Sequence, residues 1–118
     1  MPRLFDFDGP AMLGFPSSWS VTPDGSIVAL PTHGHSPGHT SFLVRRPEGD
    51  VLLAGDVTYD VPALEAQQDQ GFIANVEWHR DTLSRVRALV RTGVAYLPSH
   101  DPSSPTRLLI ASIAGPSR

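Results

Sequence analysis

The sequence predicts an α+β fold of the layered α/β kind, with a mixed β-sheet and helices packed on one face. Three observations support this prediction. Short apolar segments bounded by Pro and Gly occupy the middle of the chain, a long amphipathic helical pattern follows them, and one more apolar segment precedes a last helical stretch. The 118 residues, 12 of them Pro and 10 Gly, predict one loop-rich domain spanning 1–118.

The first half of the chain predicts strands joined by tight turns. Residues 1–18 form an irregular leading segment, because no hydrophobic period is maintained there. The first hairpin joins 19–21 to 27–30 through Pro-Asp-Gly, and the second joins 41–45 to 51–54 through Arg-Pro-Glu-Gly-Asp. These segments are too short and too rich in flanking Pro and Gly for helices.

The second half of the chain predicts helices around one strand. Residues 62–68 favour two helical turns, and 76–91 place apolar side chains at helical spacing until a Gly ends the pattern. Residues 94–97 then favour a strand, and 105–113 a short helix that begins with Pro. Within the long helix we expect Trp78 to pack in the core or under a loop.

Charge and composition exclude several classes of protein. With 12 acidic and 9 basic residues the net charge is −3, so we expect no nucleic-acid partner. We also expect no membrane span and no signal peptide, and hence a cytoplasmic location. Because the chain has no Cys, thiolate catalysis and thiolate metal sites are excluded, and chemistry must use imidazole and oxygen groups.

Three clusters of such groups each follow a predicted strand. The first, residues 32–39 (the His loop), contains three of the five His residues; the others contain Asp56 and His100. Each has a plain structural alternative: the His side chains cap loop carbonyls, Asp56 caps the next turn, and the segment around His100 is a surface turn. His79, outside these clusters, is expected on the solvated surface.

Considered together, the clusters favour a metal site with nitrogen and oxygen ligands. Zinc, manganese and iron all accept imidazole and carboxylate. A serine hydrolase using Ser36 or Ser99 is a weaker alternative, because the chain has no G-x-S-x-G elbow.

Three motifs resemble the C-terminal half of the metallo-β-lactamase-fold hydrolases. They read THGHSPGHTSFLV, VLLAGDVTYD and YLPSHDPSSPTRL, and the likeness extends over about residues 19–110. It is closest to the branch of N-acyl homoserine lactonases and glyoxalase II relatives. The resemblance implies half of an αββα sandwich and a metal-dependent hydrolase in which a metal-bound hydroxide attacks lactone, ester or thioester carbonyls of a small-molecule substrate.

The resemblance also implies a role for five residues. His35 would bind one metal, His100 a second, and Asp56 would bridge the two, with zinc as the expected ion and manganese or iron as alternatives. His39 would orient the loop from outside the ligand set. Tyr59 would lie beside the substrate carbonyl and act with Asp56 in catalysis.

Two departures from the family pattern change the expectation for this chain. His33 stands where the family has Pro, and we expect it to be an exposed loop residue. The HxHxDH motif, which supplies four more ligands in the family, is absent from the sequence. We therefore expect a truncated fold with an incomplete metal site and weak or no activity. The alternative function is an inactive remnant or interaction module, existing as a homodimer or with a complementing chain that covers the apolar face of the sheet.

Overall fold

A five-stranded mixed sheet forms the centre of the computed structural model, which describes residues 6–58, 60–67 and 73–114. In chain order its elements are β1 (Trp19–Ser20), β2 (Ile27–Pro31), β3 (Thr40–Val44), β4 (Val51–Gly55), α1 (Val61–Glu65), α2 (Val76–Val90), β5 (Ala95–Pro98) and α3 (Ser104–Ala114). The strands and helices predicted from the sequence are present, with their bounds shifted by a few residues, and the α+β class is confirmed.

The strand order places three strand ends at one edge of the sheet. The order is β1-β2-β3-β4-β5, in which the first four strands are antiparallel and β5 is parallel to β4. The β4–β5 connection contains α1 and α2, as a parallel crossover requires. Consequently β2, β4 and β5 run in the same direction, and their C-terminal ends meet at the same edge.

The strand register separates a face that the crossover helices α1 and α2 cover from the opposite face. Residues paired across β2, β3, β4 and β5 share a face, and one such row is Val28, Leu43, Leu52 and Tyr96. This row belongs to the buried core cluster together with side chains of the two crossover helices, namely Leu64, Leu83, Val86 and Leu89. Burial of this apolar face against α1 and α2 is the main contribution to stability.

The opposite face of the sheet is also apolar. Its rows contain Ala29, Phe42, Leu53 and Leu97, and next to them Ile27, Val44, Val51 and Ala95. Helix α3 packs along β5 and forms with β4 and β5 a groove of about 500 Å³, lined by Leu53, Leu97 and Leu108 among others. Leu53 nevertheless exposes 46% of its surface. We call this surface the open face.

The helix ends follow from local hydrogen bonding. Asp60 caps α1 by accepting from the Ala63 N–H at 2.9 Å, and Asn75 caps α2 by accepting from the Trp78 N–H at 2.9 Å. Helix α1 ends at Glu65, earlier than the predicted residue 68, which lies outside the described residues. Of the helices in the described part of the chain, none combines the length and apolarity needed to cross a bilayer.

Of two expectations for side chains of α2, one is wrong and one is partly met. His79 is only 2% exposed rather than solvated. Trp78 exposes 51% of its surface and does not lie in the core, but its ring lies 6.4 Å from that of His33 in the His loop. The burial of His79 follows from how α2 meets the His loop: the backbone of Gly34 lies directly against His79 and excludes water from that side of the helix.

Candidate metal centre

The three predicted ligands come together at the sheet edge where β2, β4 and β5 end. His35 lies in the loop after β2, Asp56 follows β4 directly, and His100 lies two residues beyond β5. Strands β2 and β4 are separated by β3, a distance of roughly 10 Å. The His loop therefore has to reach across the start of β3 to bring His35 near Asp56.

One imidazole group lies beside each carboxylate oxygen of Asp56. His35 Nε2 lies 3.6 Å from Asp56 Oδ2, and His100 Nε2 lies 3.0 Å from Asp56 Oδ1. The three side chains are 29%, 35% and 62% exposed in the order His35, Asp56 and His100, so the cluster is open to solvent on the His100 side. The Asp56 carboxylate thus presents one oxygen to each of the two imidazole groups.

His39 holds the backbone of Asp56 rather than its carboxylate. The Asp56 N–H donates to His39 Nε2 at 2.9 Å, and His39 Nδ1 donates to the Thr32 carbonyl at 3.1 Å. Since an N–H only donates and a carbonyl only accepts, the neutral tautomer with its hydrogen on Nδ1 satisfies both contacts. Burial lowers the pKa of His39, which favours this neutral form.

Gly55 provides the space that the His39 contact needs. Its φ is +60°, and a Cβ atom there would lie 2.8 Å from His39 Nε2. The register of β4 and β5 also shifts at this point, between Leu53 and Gly55. Any side chain at Gly55 would push the imidazole away from the Asp56 N–H.

Buried hydroxyl groups connect His39 to three strands. The Thr32 hydroxyl lies 3.0 Å from His39 Nδ1 and 2.8 Å from the Ser41 hydroxyl, which donates to the Ala54 carbonyl at 3.2 Å. Thr32 and Ser41 are 1% and 0% exposed. Because these groups belong to β3, β4 and the end of β2, the network fixes the edge at which the ligands meet.

Asp101 and Arg107 fix the turn that carries His100. The Asp101 carboxylate accepts from the Ser103 N–H at 2.8 Å and pairs with Arg107 Nη2 at 2.7 Å. The hydrogen bond from Ser103, aided by the Arg107 guanidinium, holds the pKa of Asp101 below its ordinary value. Arg107 Nε also donates to the Tyr96 carbonyl at 2.8 Å. The sequence alone does not predict this role, because an Asp before Pro is typical of an ordinary turn.

His33 is partly buried, so the expectation of an exposed loop residue is wrong. Its Nδ1 donates to the His39 carbonyl at 3.1 Å, which closes the base of the His loop. The ring lies edge-on to Phe7 at 5.8 Å and 6.4 Å from the Trp78 ring, measured between centroids. His33 thus has a packing role between Phe7 and Trp78.

The donors fit a zinc-type ion in kind but not in number. Imidazole nitrogen and carboxylate oxygen are the ligands that zinc, manganese and iron accept. Across residues 6–58, 60–67 and 73–114, however, no group of three or more His, Asp or Glu side chains is arranged to hold a metal ion. Tyr59, the predicted group beside the substrate carbonyl, lies outside the described residues.

Comparison with known proteins identifies the family. The family model described as "Metallo-beta-lactamase superfamily" matches residues 5–104. The chain belongs to the metallo-beta-lactamase superfamily. This membership supports a hydrolase of that superfamily and implies metal ions, typically zinc, and it confirms the resemblance drawn from the three motifs.

Several superfamily members with named activities are similar to this chain. It is 32% identical over 107 residues to the N-acyl homoserine lactonase AttM of Azorhizobium caulinodans, covering 84% of this chain and 41% of that protein. It is 38% identical over 84 residues to AttM of Agrobacterium fabrum, covering 70% of this chain and 29% of that protein. The chain therefore spans less than half the length of the curated relatives that it matches.

Solved structures of superfamily members share the fold. An N-acyl homoserine lactone hydrolase with N-hexanoyl-L-homoserine at its catalytic metal centre matches with a TM-score of 0.63 and 25% identity, over 75% of this chain and 35% of that one. A quorum-quenching N-acyl homoserine lactone lactonase matches with a TM-score of 0.62 and 26% identity, over 73% of this chain and 35% of that one. The five-stranded mixed sheet with its helices is thus a partial metallo-beta-lactamase fold.

Proposed function

We propose that this chain provides part of the active site of a metal-dependent hydrolase that opens lactones or cleaves esters and thioesters. The observation that carries the proposal is the placement of His35 and His100 on opposite oxygens of Asp56, at 3.6 and 3.0 Å. The lactonase names of the similar proteins favour a lactone as the small-molecule substrate. A bound zinc ion, with manganese or iron as alternatives, would polarise the carbonyl group and activate water.

Each residue of the cluster has a distinct proposed role. His35 and His100 would each hold a metal through an imidazole nitrogen, and Asp56 would contribute its carboxylate to both. His39 keeps Asp56 in place through the Asp56 N–H, which leaves both carboxylate oxygens for the metals. From the sequence motif alone we propose that Tyr59 donates a hydrogen bond to the oxygen of the substrate carbonyl.

The number of ligands limits what this chain does by itself. One metal would have His35 and Asp56, and the other His100 and the same Asp56, whereas a four-coordinate catalytic zinc uses three protein ligands. We propose that the chain alone binds metal weakly and hydrolyses its substrate slowly. We also propose that the missing ligands come from polypeptide outside this chain.

The substitution Asp56→Ala tests the proposal, with Asp81→Ala as its control. Asp81 is an exposed carboxylate paired with Arg85 at 2.8 Å, away from the cluster. We expect Asp56→Ala to lower zinc affinity at least about tenfold and to abolish lactone hydrolysis, and Asp81→Ala to change neither. The measurements are zinc content after equilibrium dialysis and turnover of lactone and thioester substrates. Unchanged zinc content and turnover in Asp56→Ala would contradict the metal role.

The open face supports a second candidate function, an interaction module without catalytic activity. Leu53 exposes 46% of its surface at the centre of an apolar face, and an area of this kind favours a protein partner. We propose a second copy of this chain as that partner, since it presents the same apolar rows. A wild-type protein that binds no zinc under saturating conditions would favour this function over the hydrolase.

A further inference from the structure

The His loop lies against the start of α2, and three successive carbonyl groups of the loop are hydrogen-bonded there. The Thr82 hydroxyl donates to the His33 carbonyl at 2.7 Å. The Asn75 N–H donates to the Gly34 carbonyl at 3.0 Å, and the Ala74 N–H donates to the His35 carbonyl at 3.3 Å. The backbone on both sides of His35's Cα is thereby attached to one short segment, residues 74–82.

Gly34 allows the loop to approach the helix this closely. Its φ is +138°, a region that favours glycine, and a Cβ atom there would lie 2.4 Å from the Cα of His79. Thr82 and His79 are 4% and 2% exposed, so the loop shields this side of α2 from water. The His33 carbonyl, whose bond to Thr82 is partly buried, would lose its donor there in a variant without the hydroxyl.

The rest of the His loop is held by hydrogen bonds within the loop itself, in which the N–H groups of Gly34 and His39 both donate to the Ser36 carbonyl, at 3.1 and 3.2 Å. Ser36, Pro37 and Gly38 are exposed, and the segment has no regular secondary structure. A metal ligand has to be held within about 0.5 Å of its working position. The attachment of residues 33–35 to α2 connects the part of the loop that carries His35 to the rest of the fold.

We infer that residues 74–82 position His35, and that Thr82 and Gly34 are positioning residues that act on His35 through the loop backbone. The expected effect of these residues on metal affinity rests on the proposed function. The attachment of the loop to α2 does not rest on it, because the hydrogen bonds between loop and helix exist without a metal. The two parts of the inference are therefore measured separately.

The first measurement is hydrogen exchange of the Ala74 and Asn75 amides in the full chain without metal. Thr82→Val removes the hydroxyl at nearly constant shape and should speed exchange of both amides about threefold to tenfold. Thr92→Val is the matched control, because the Thr92 hydroxyl also donates to a backbone carbonyl, that of Leu89, at the other end of α2. Thr82→Ser retains the hydroxyl and should restore wild-type exchange. Equal exchange in Thr82→Val and Thr92→Val would overturn the inference.

The second measurement is zinc affinity, determined by competition with a chromophoric chelator. We expect Thr82→Val to weaken binding about threefold to tenfold, with Thr92→Val and Thr82→Ser at the wild-type value. Faster amide exchange with unchanged zinc affinity would overturn the positioning role of Thr82. If the wild-type chain binds no zinc, the proposed function fails instead, and amide exchange alone decides whether α2 holds the loop.

A pair of glycine substitutions tests the close contact independently. Gly34→Ala introduces both backbone strain and the collision with His79. Gly25→Ala introduces strain alone, because Gly25 has a φ of +73° and a Cβ atom there would have no atom of the described residues within 4 Å beyond its chain neighbours. We expect a lower urea midpoint and faster Ala74 and Asn75 exchange in Gly34→Ala than in Gly25→Ala. Equal values in the two variants would overturn the role of Gly34.

Discussion

His39 shows how one residue connects two parts of the candidate metal centre. It lies in the same loop as His35, yet its two ring nitrogens are used by the Thr32 carbonyl and the Asp56 N–H at 3.1 and 2.9 Å. With both nitrogens used, the imidazole supports the site rather than binding metal. This agrees with the role implied by the family motif, which stays a prediction until metal binding is measured.

Replacement of His39 by Leu should destabilise the fold. The substitution leaves the Asp56 N–H without its acceptor, so we expect the free energy of unfolding to fall by about 1–3 kcal/mol. His100→Leu is the control, because the His100 side chain is 62% exposed and its contact with Asp56 should be worth less than about 1 kcal/mol. Urea denaturation of both variants gives the comparison. Equal unfolding midpoints would show that the His39 contact does not stabilise the edge of the sheet.

At the level of elements, a buried hydroxyl pair connects β5 to the loop after β4. The Thr58 hydroxyl donates to the Asp60 carbonyl at 2.7 Å, so the Tyr96 hydroxyl, 2.9 Å away, donates to Thr58. Tyr96 is 2% exposed, and burial raises the pKa of its phenol to about 12. The loop that leads from Asp56 into α1 is thereby held against the neighbouring strand.

This pair predicts a loss of stability at alkaline pH. The folded chain keeps the Tyr96 proton up to about pH 12, whereas the unfolded chain releases it near pH 10. The contribution of Tyr96 to the free energy of unfolding should therefore be constant below about pH 10. It should fall as the pH rises toward 12. The measurement is urea denaturation at pH 8, 10 and 11. The chain contains no Lys, whose titration would overlap with that of Tyr.

The control for this prediction is Tyr96→Phe. It lacks the titrating group, so its stability should decline less between pH 10 and 11 than that of the wild type. An identical decline in both proteins would place the alkaline sensitivity elsewhere in the chain.

At the level of the whole molecule, the open face predicts self-association. The residues that share this face with Leu53 are apolar in four neighbouring strands, but Ala29, Val51 and Leu97 are already buried, so a second copy would mainly cover Leu53. We expect the wild-type chain to sediment as a dimer and Leu53→Lys as a monomer. Val76→Lys, which changes a 44% exposed side chain at the start of α2, should remain dimeric. A folded wild-type monomer at micromolar concentration would contradict the proposed dimer.

The sequence by itself determined the elements of this protein and the three strand ends at which the candidate ligands lie. Hydrophobic periodicity, Pro-Asp-Gly and the Gly that follows α2 are local signals, and each depends on residues within one element or turn. The resemblance to the family motifs added a predicted division of roles among His35, His39, Asp56 and His100, because the spacing of the motifs is distinctive.

Only the tertiary structure decided which side chains meet. The Thr82 hydroxyl and the His33 carbonyl are 49 residues apart in the chain, and the Thr58 and Tyr96 hydroxyl groups are 38 apart. His79 is buried because the His loop lies against it, which no helical period predicts. Such contacts depend on strand order and on the direction of each strand, so they escape signals that extend over a few residues only.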